Sequence, residues 1–327
     1  MEFKDLKSLL NTSPKVFIVT HKSPDGDAMG SSLGLAGVLK KKGCDVTVVA
    51  PTEYPSFLKW IKGSEEVLVW GEHNEIIEKS ATEADVLFCL DFNALHRIDD
   101  VGELINQACG KKIMIDHHQQ PTNFADYMIS DTSASSTAEM VYEFIEALGD
   151  ESLIDGDLGE ALYCGIMTDT GSFRFSSTTQ KTHDIAGKII SLGANHSMVH
   201  RRIYDSNTQR RLKVLGYCLS TMEVMDGQKT AIFKLTKEDH RRFNIQKGDT
   251  EGIVNYGLSM SHVKCAAFFR EDKDIVKISF RSKDDYDVNE FARAYFNGGG
   301  HVNAAGGMSR KSIDETINDF KEIVKVQ

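Results

Sequence analysis

Apolar positions in the first half of the chain fall into short continuous runs separated by segments with helical spacing. Val16 to Val19 leads into the stretch from Thr20 to Ser31, and Ser32, Leu33, Leu35, Ala36, Val38 and Leu39 lead away from it with the pattern of a helix. Asp45 to Ala50 is a β-branched run closed by Pro51. Asp85 to Leu90 ends at Asp91, and Lys112 to Ile115 ends at Asp116, His117 and His118. Such runs, alternating with helical patterns, predict an α/β fold whose parallel sheet carries helices on both faces. Ser135 to Leu148 predicts a helix capped by its leading serines and threonine. Leu158 to Thr168 predicts another, and Lys181 to Leu192 a third that stops at Gly193. Ser197 to Lys213 is polar and basic without Gly or Pro, and predicts a helical connector.

The pattern then changes. Val224 to Phe233 resembles a hairpin about Asp226-Gly227. Lys264 to Phe269 and Asp274 to Phe280 predict two more strands joined by a charged turn, followed by helical patterns at Val288 to Phe296 and Ser312 to Val324. The expected organisation is a parallel-sheet domain over residues 1–195, a helical linker over 196–213, and a smaller mixed-sheet α/β domain over 214–327.

Composition narrows the function classes. The 327 residues are 41% hydrophobic and 26% charged, with no apolar run long enough for a membrane span and no apolar core of a signal peptide. Six dispersed cysteines without a Cys-x-x-Cys pair read as small core residues in a reducing cytoplasm. The net charge of −10 argues against tracking along duplex nucleic acid but leaves room for a small anionic ligand at a local cation cluster.

In parallel α/β sheets, ligands sit beyond the carboxyl ends of the strands. His21, Asp25, Asp27, Asp91 and the Asp116-His117-His118 triplet all follow apolar runs, and Asp169 follows the apolar segment ending at Thr168. Asp25-Gly26-Asp27 alone is an ordinary solvated turn as readily as a cation site; three converging segments are harder to read that way. Four carboxylates and two imidazoles in one cleft would repel without cations. Two metals sharing one carboxylate are the economical arrangement, suited to clamping an in-line displacement at phosphorus. The histidines favour Mn²⁺ over an all-magnesium site, and the oxygen-rich set without cysteine disfavours zinc.

His73, His96, His183, His196, His200 and His240 stand outside any motif and read as surface or capping residues. Arg97 and the pairs Arg201-Arg202, Arg210-Arg211 and Arg241-Arg242 read as surface charges or salt-bridge partners. The run Asn297 to Gly307 holds three successive glycines before His301 and predicts an anion-binding nest at the start of a helix, with Arg281 at a strand end as a bidentate phosphate contact.

These residues resemble the DHH phosphoesterase superfamily over nearly the whole chain: His21-x-x-x-Asp25-Gly-Asp27, then Asp91, Asp116-His117-His118, Asp169-Thr-Gly, and the Gly-Gly-Gly-His301-x-Asn303-Ala-Ala-Gly run of the DHH-associated C-terminal domain. Length and layout are most similar to the nanoRNase/oligoribonuclease branch, which also acts as a phosphatase on 3′-phosphoadenosine 5′-phosphate (pAp). The resemblance implies two Mn²⁺ ions, with Mg²⁺ or Co²⁺ as substitutes. One would be held by His21, Asp25 and Asp91, the other by Asp27, Asp91, His117 and Asp169. It implies that His118 contacts phosphoryl oxygens, that Asp116 orients the histidines, and that Arg281, Gly299, Gly300, His301 and Asn303 grip the substrate.

The implied partners are short single-stranded RNA, dinucleotides and pAp, with no duplex nucleic acid and no membrane; a homodimer is compatible with this reading. A phosphodiesterase acting on cyclic dinucleotides or on linear pApA and pGpG is the alternative within the superfamily. A metal-dependent nucleotide-binding protein without turnover is the alternative outside it, and the intact ligand set argues against that.

Overall fold

The computed structural model describes residues 2–325. They form two compact units, one ending at Ser206 and the other beginning at Asn207.

The first unit runs α1 (Phe3–Leu10), β1 (Lys15–Thr20), α2 (Gly26–Lys41), β2 (Asp45–Ala50), β3 (Leu68–Val69), α3 (Asn74–Glu83), β4 (Val86–Leu90), α4 (Val101–Gln107), β5 (Lys111–Asp116) and β6 (Tyr127–Ser130). It continues through α5 (Thr137–Leu148), α6 (Gly156–Asp169), α7 (Gln180–Ser191) and α8 (His196–Tyr204). The six strands form an all-parallel sheet in the order β3-β2-β1-β4-β5-β6. Side chains alternate across it. Val16, Ile18, Phe88 and Ile113 pack under α2, α5 and α6, while Phe17, Val19, Leu87 and Met114 pack under α3 and α4. Burial on both faces explains why these strands read as unbroken apolar runs. The chain reverses direction across the sheet between β1 and β4, and the crevice beyond their carboxyl ends is where such sheets receive ligands.

Helix α2 is buried nearly all round and crosses α6 at close range. A Cβ on Gly30 would lie 2.4 Å from the Ala161 carbonyl oxygen. Gly26, expected to bend a turn, is instead the first residue of α2, and a Cβ there would lie 2.4 Å from Thr168 Oγ1. Its lack of a side chain serves close packing rather than an unusual backbone angle.

The second unit comprises α9 (Gln209–Ser220), β7 (Glu223–Met225), β8 (Thr230–Leu235), α10 (Lys237–Phe243), β9 (Cys265–Asp272), β10 (Ile275–Ser282), α11 (Val288–Tyr295), β11 (Gly299–His301), β12 (Ala304–Ser309) and α12 (Ile313–Lys325). Its sheet runs β11-β12-β10-β9-β8-β7 and is antiparallel except for β8 beside β9. One face packs Phe269, Phe280 and Ile278 against Phe291 and Phe320 of α11 and α12. On the other, Phe233 and Phe268 pack with Val214 of α9 and Ile253 of the 3-10 segment Ile253–Ser259.

Two expectations differ. The stretch 196–213 is two helices rather than one connector: α8 ends at Tyr204, and α9 starts at Gln209 behind the N-cap Thr208 in the second unit. The glycine run does not open a helix. It forms the β11–β12 hairpin, because Gly299 and Gly300 adopt φ of 157° and 155°, and a Cβ on Gly298 would lie 1.9 Å from the Gly306 carbonyl oxygen. The glycines let two backbones meet; they are not a row of helix-initiating N–H groups.

Candidate metal centre at the sheet edge

Each candidate of the first unit stands at an element boundary. His21 follows β1, and Asp25 is the N-cap of α2, accepting from the backbone N–H groups of Asp27 and Ala28 at 3.1 Å each. Asp27 lies in the first turn of α2, Asp91 follows β4, Asp116 ends β5 with His117 and His118 behind it, and Asp169 ends α6. Asp91 holds a left-handed conformation, φ 65°, which aspartate tolerates better than most side chains.

These side chains converge. His21 Nε2 lies 3.4 Å from Asp91 Oδ2 and 3.8 Å from Asp25 Oδ1. His117 Nε2 lies 3.2 Å from Asp169 Oδ2, and 3.7 Å from both Asp27 Oδ2 and Asp91 Oδ1. The two oxygens of Asp91 therefore face different histidines. Ligand atoms of His21, Asp25 and Asp91 lie within 4.8 Å of one another, and so do those of Asp27, His117 and Asp169. His21, Asp27, Asp91 and His117 are buried, Asp169 is partly buried, and Asp25 is half exposed.

The ring orientations suit cation binding. His21 donates from Nδ1 to the Lys22 carbonyl at 2.8 Å, and His117 donates from Nδ1 to the Ala134 carbonyl at 3.2 Å. A carbonyl can only accept, so each bond fixes the tautomer and presents Nε2 to the carboxylates. His118 Nδ1 bonds instead to Asp116 Oδ1 at 2.7 Å, turning its Nε2 edge the other way.

The charges are in conflict as they stand. Burial raises the Asp27 carboxyl well above its ordinary range, and Asp91 and Asp169 push it further. Burial likewise lifts Asp169, only partly offset by His117. For His21, burial pulls the imidazole down, but Asp25 and Asp91 outweigh it and lift the group to about 10. Protons thus take up negative charge that divalent cations would otherwise balance. The oxygen-rich donor set with two correctly tautomerised imidazoles fits such ions.

Fixed donors also hold the acids. The backbone N–H groups of Thr137 and Ala138, at the start of α5, donate to Asp27 at 2.7 and 2.8 Å, and the Thr137 hydroxyl donates to Asp91 Oδ1 at 2.8 Å. Sequence reasoning read Ser135 to Thr137 only as a helix cap. Ser136 is that cap, accepting from Glu139 N–H at 3.0 Å, whereas Thr137 points into the acid cluster. Nothing in the sequence around Thr137 set it apart from an ordinary cap residue.

Among the histidines read as bystanders, His200 Nε2 accepts from the Ser172 hydroxyl at 3.1 Å, and His183 stacks on Phe173. Ser172 and Phe173 both have φ 62°, just after Asp169. Arg202 lies over the Trp60 ring, and Arg210 pairs with Asp249 at 2.6 Å.

In the second unit, Arg281, Ala304 and His301 occupy one row across β10, β12 and β11, so Arg281 and His301 share a sheet face across a small residue. Gly300 N–H donates to Asn289 Oδ1 at 2.9 Å. The Asn303 amide donates to Ser282 Oγ and the Asp284 carbonyl, which ties the hairpin turn to the end of β10.

Residues 15–166 match the DHH family, N-terminal domain, and residues 227–326 match the DHHA1 domain. The relative named "Bifunctional oligoribonuclease and PAP phosphatase NrnA" from Thermus thermophilus is 31% identical over 95% of this chain and 89% of its own length. The chain belongs to the DHH family. A relative of the same name from Bacillus subtilis is 29% identical over 95% of each chain. The crystal structure of an exopolyphosphatase-related protein from Bacteroides fragilis superposes with a TM-score of 0.94 at 39% identity, covering 99% of this chain and 95% of that one. The DHH and DHHA1 matches fall in the first and second compact units respectively. Among the described residues, no helix is long and apolar enough to cross a membrane.

Proposed function

We propose that this DHH protein is a metal-dependent phosphohydrolase that cleaves very short oligoribonucleotides to 5′-mononucleotides and also removes the 3′-phosphate of pAp. The observation that carries the reading is the meeting of His21, Asp25, Asp27, Asp91, His117 and Asp169 at one sheet edge, with Asp91 between the two histidines. Membership of the family, with relatives named for these two activities, supports it.

Two Mn²⁺ ions are the proposed cofactors, one at His21, Asp25 and Asp91, the other at Asp27, Asp91, His117 and Asp169. Bound there, divalent cations supply Lewis-acid polarisation of the phosphoryl group and lower the pKa of water. The chain's own groups do the rest. Asp91 presents one oxygen to each histidine. The start of α5 holds the Asp27 carboxyl fixed with two backbone N–H groups, so it needs no reorientation during turnover. His118, held at Nδ1 by the buried Asp116, offers Nε2 to a phosphoryl oxygen. Arg281 and His301, on one face of the second unit's sheet, are the proposed phosphate and nucleotide contacts, with Gly299 and Gly300 allowing close backbone approach.

The test is a substrate panel with Mn²⁺: diribonucleotides, pAp, and cyclic and linear di-adenylates, comparing kcat/KM and identifying products. AMP from both ApA-type dinucleotides and pAp is the expected result. Cyclic di-AMP as the best substrate would move the chain to the phosphodiesterase alternative, and no turnover of any would sink the reading. Elemental analysis is expected to find two metals per chain.

A further inference from the structure

Beside Arg281 the sheet of the second unit carries a small polar pocket. Arg281, Ser279 and Lys277 alternate along β10 and therefore share a face, successive members about 6.6 Å apart. Arg270 pairs directly with Lys277 from β9 and joins that face. Gly306 stands opposite Ser279 on β12, which leaves the floor low. Buried Thr250 closes one side, its hydroxyl oxygen accepting from Arg270 Nη1 at 2.6 Å. The resulting cavity, about 90 Å³, is also bordered by Glu251.

The lining has the chemistry of a phosphate site. Two guanidinium groups and an ammonium converge with two hydroxyls, and with the Thr250 oxygen engaged as an acceptor its proton is available to a ligand. Carboxylates only partly offset the cations. Lys277 pairs with Asp272 at 2.6 Å, but both are substantially exposed, and pairs of that kind contribute about 1 kcal/mol or less, so the ammonium is readily exchanged to a stronger anion. The volume is ample for a phosphate group. Arg281 links this pocket to His301: it shares a row with His301 and also lines the pocket.

We propose that Arg270, Lys277, Ser279 and Thr250 form a second phosphate subsite, next to the Arg281 contact, that takes a further phosphodiester of a short single-stranded oligonucleotide. This rests on the phosphoesterase reading and adds a physical basis for preferring chains of several phosphates to a mononucleotide. Same-face residues on an extended strand repeat at a spacing comparable with that of neighbouring phosphates in an extended single strand, so β10 acts as a short ruler.

The experiment uses the full chain with Mn²⁺ and two probes, the trinucleotide pApApA as substrate and AMP as a single-phosphate competitor. In the Arg270→Gln/Lys277→Gln variant, KM for pApApA is expected to rise about tenfold with kcat retained, and inhibition by AMP to stay as in wild type. The fall of log kcat/KM with log salt is expected to become shallower by about 0.7 per cation removed. Lys277→Gln alone alters only an exposed side chain and carries the test should Arg270→Gln disturb folding; Lys277→Arg is expected to keep the wild-type KM. An unchanged KM and salt slope in Lys277→Gln overturns the subsite. Wild-type protein that leaves pApApA intact overturns the phosphoesterase reading instead.

Discussion

The Thr137 hydroxyl donates a 2.8 Å hydrogen bond to Asp91 Oδ1, the acid that lies between His21 and His117. Thr137 also places its own N–H on Asp27. One residue at a helix start thus orients two acids from separate segments. Removing the hydroxyl by Thr137→Val keeps side-chain shape and leaves both backbone donors in place. Mn²⁺ affinity by calorimetric titration is expected to fall about tenfold, the lower range for loss of a partner that orients a metal ligand. Thr137→Ser is expected to restore it. Wild-type affinity in the valine variant would show that Asp91 needs no such support.

Asp91→Ala and His117→Ala are each expected to reduce turnover to background while far-ultraviolet circular dichroism stays unchanged. Both side chains lie at the sheet edge rather than within a strand, so the apolar layers above and below do not depend on them. Substantial turnover in either variant would remove the shared-carboxylate arrangement.

The α2–α6 crossing gives a stability prediction. Gly30→Ala drives a methyl group to 2.4 Å from a backbone oxygen of α6, a neighbour that cannot rotate away, and is expected to cost about 1–3 kcal/mol in urea unfolding. Gly216 is the contrast: it lies within α9, exposed, and a Cβ there meets nothing within 4 Å. Gly216→Ala is expected to stabilise by about 0.5–1 kcal/mol. If both changes act alike, helix propensity rather than close approach governs the two sites.

His240 gives a pH dependence. It sits in α10 with Nε2 buried and without a hydrogen-bond partner among the described residues, and burial together with Arg270 holds its pKa below the ordinary 6.5 despite Asp272, Asp239 and Glu271 nearby. The native state therefore binds fewer protons here than the unfolded chain. Its contribution to stability is complete above about 6.5, and is lost as the pH falls through the native value. Urea midpoints at pH 7.5 and 5 are expected to differ less in His240→Gln than in wild type. An unchanged difference would assign the acid sensitivity to other groups.

How much of this was legible beforehand follows from which signals are local. Strand ends are marked in sequence where an apolar run meets an acid, as at Leu90-Asp91 and Ile115-Asp116, so the first sheet and its candidate residues could be read in order. The parallel arrangement followed from strands buried on both faces. Ring tautomers did not follow, because the carbonyls of Lys22 and Ala134 that set them belong to the backbone. Thr137 was hidden by chemistry it shares with ordinary helix caps. The glycine run misled because glycine serves an anion nest and a close strand crossing equally well, and only the nearness of Gly298 to Gly306 separates the two. The basic pocket was invisible because Arg270 and Lys277 become neighbours only through strand register, and Thr250 reaches Arg270 only through the folding of a separate turn.

The acid cluster at the sheet edge also bears on how the molecule is made. Its members come from residues 21 to 169, so the complete cluster forms only once most of the first unit has folded. Until β5 and α6 have docked, His117 and Asp169 are not in place, and only the His21, Asp25 and Asp91 group could hold an ion. Filling both proposed sites would therefore be a late event in maturation, and bound ions would stabilise the native unit by mass action.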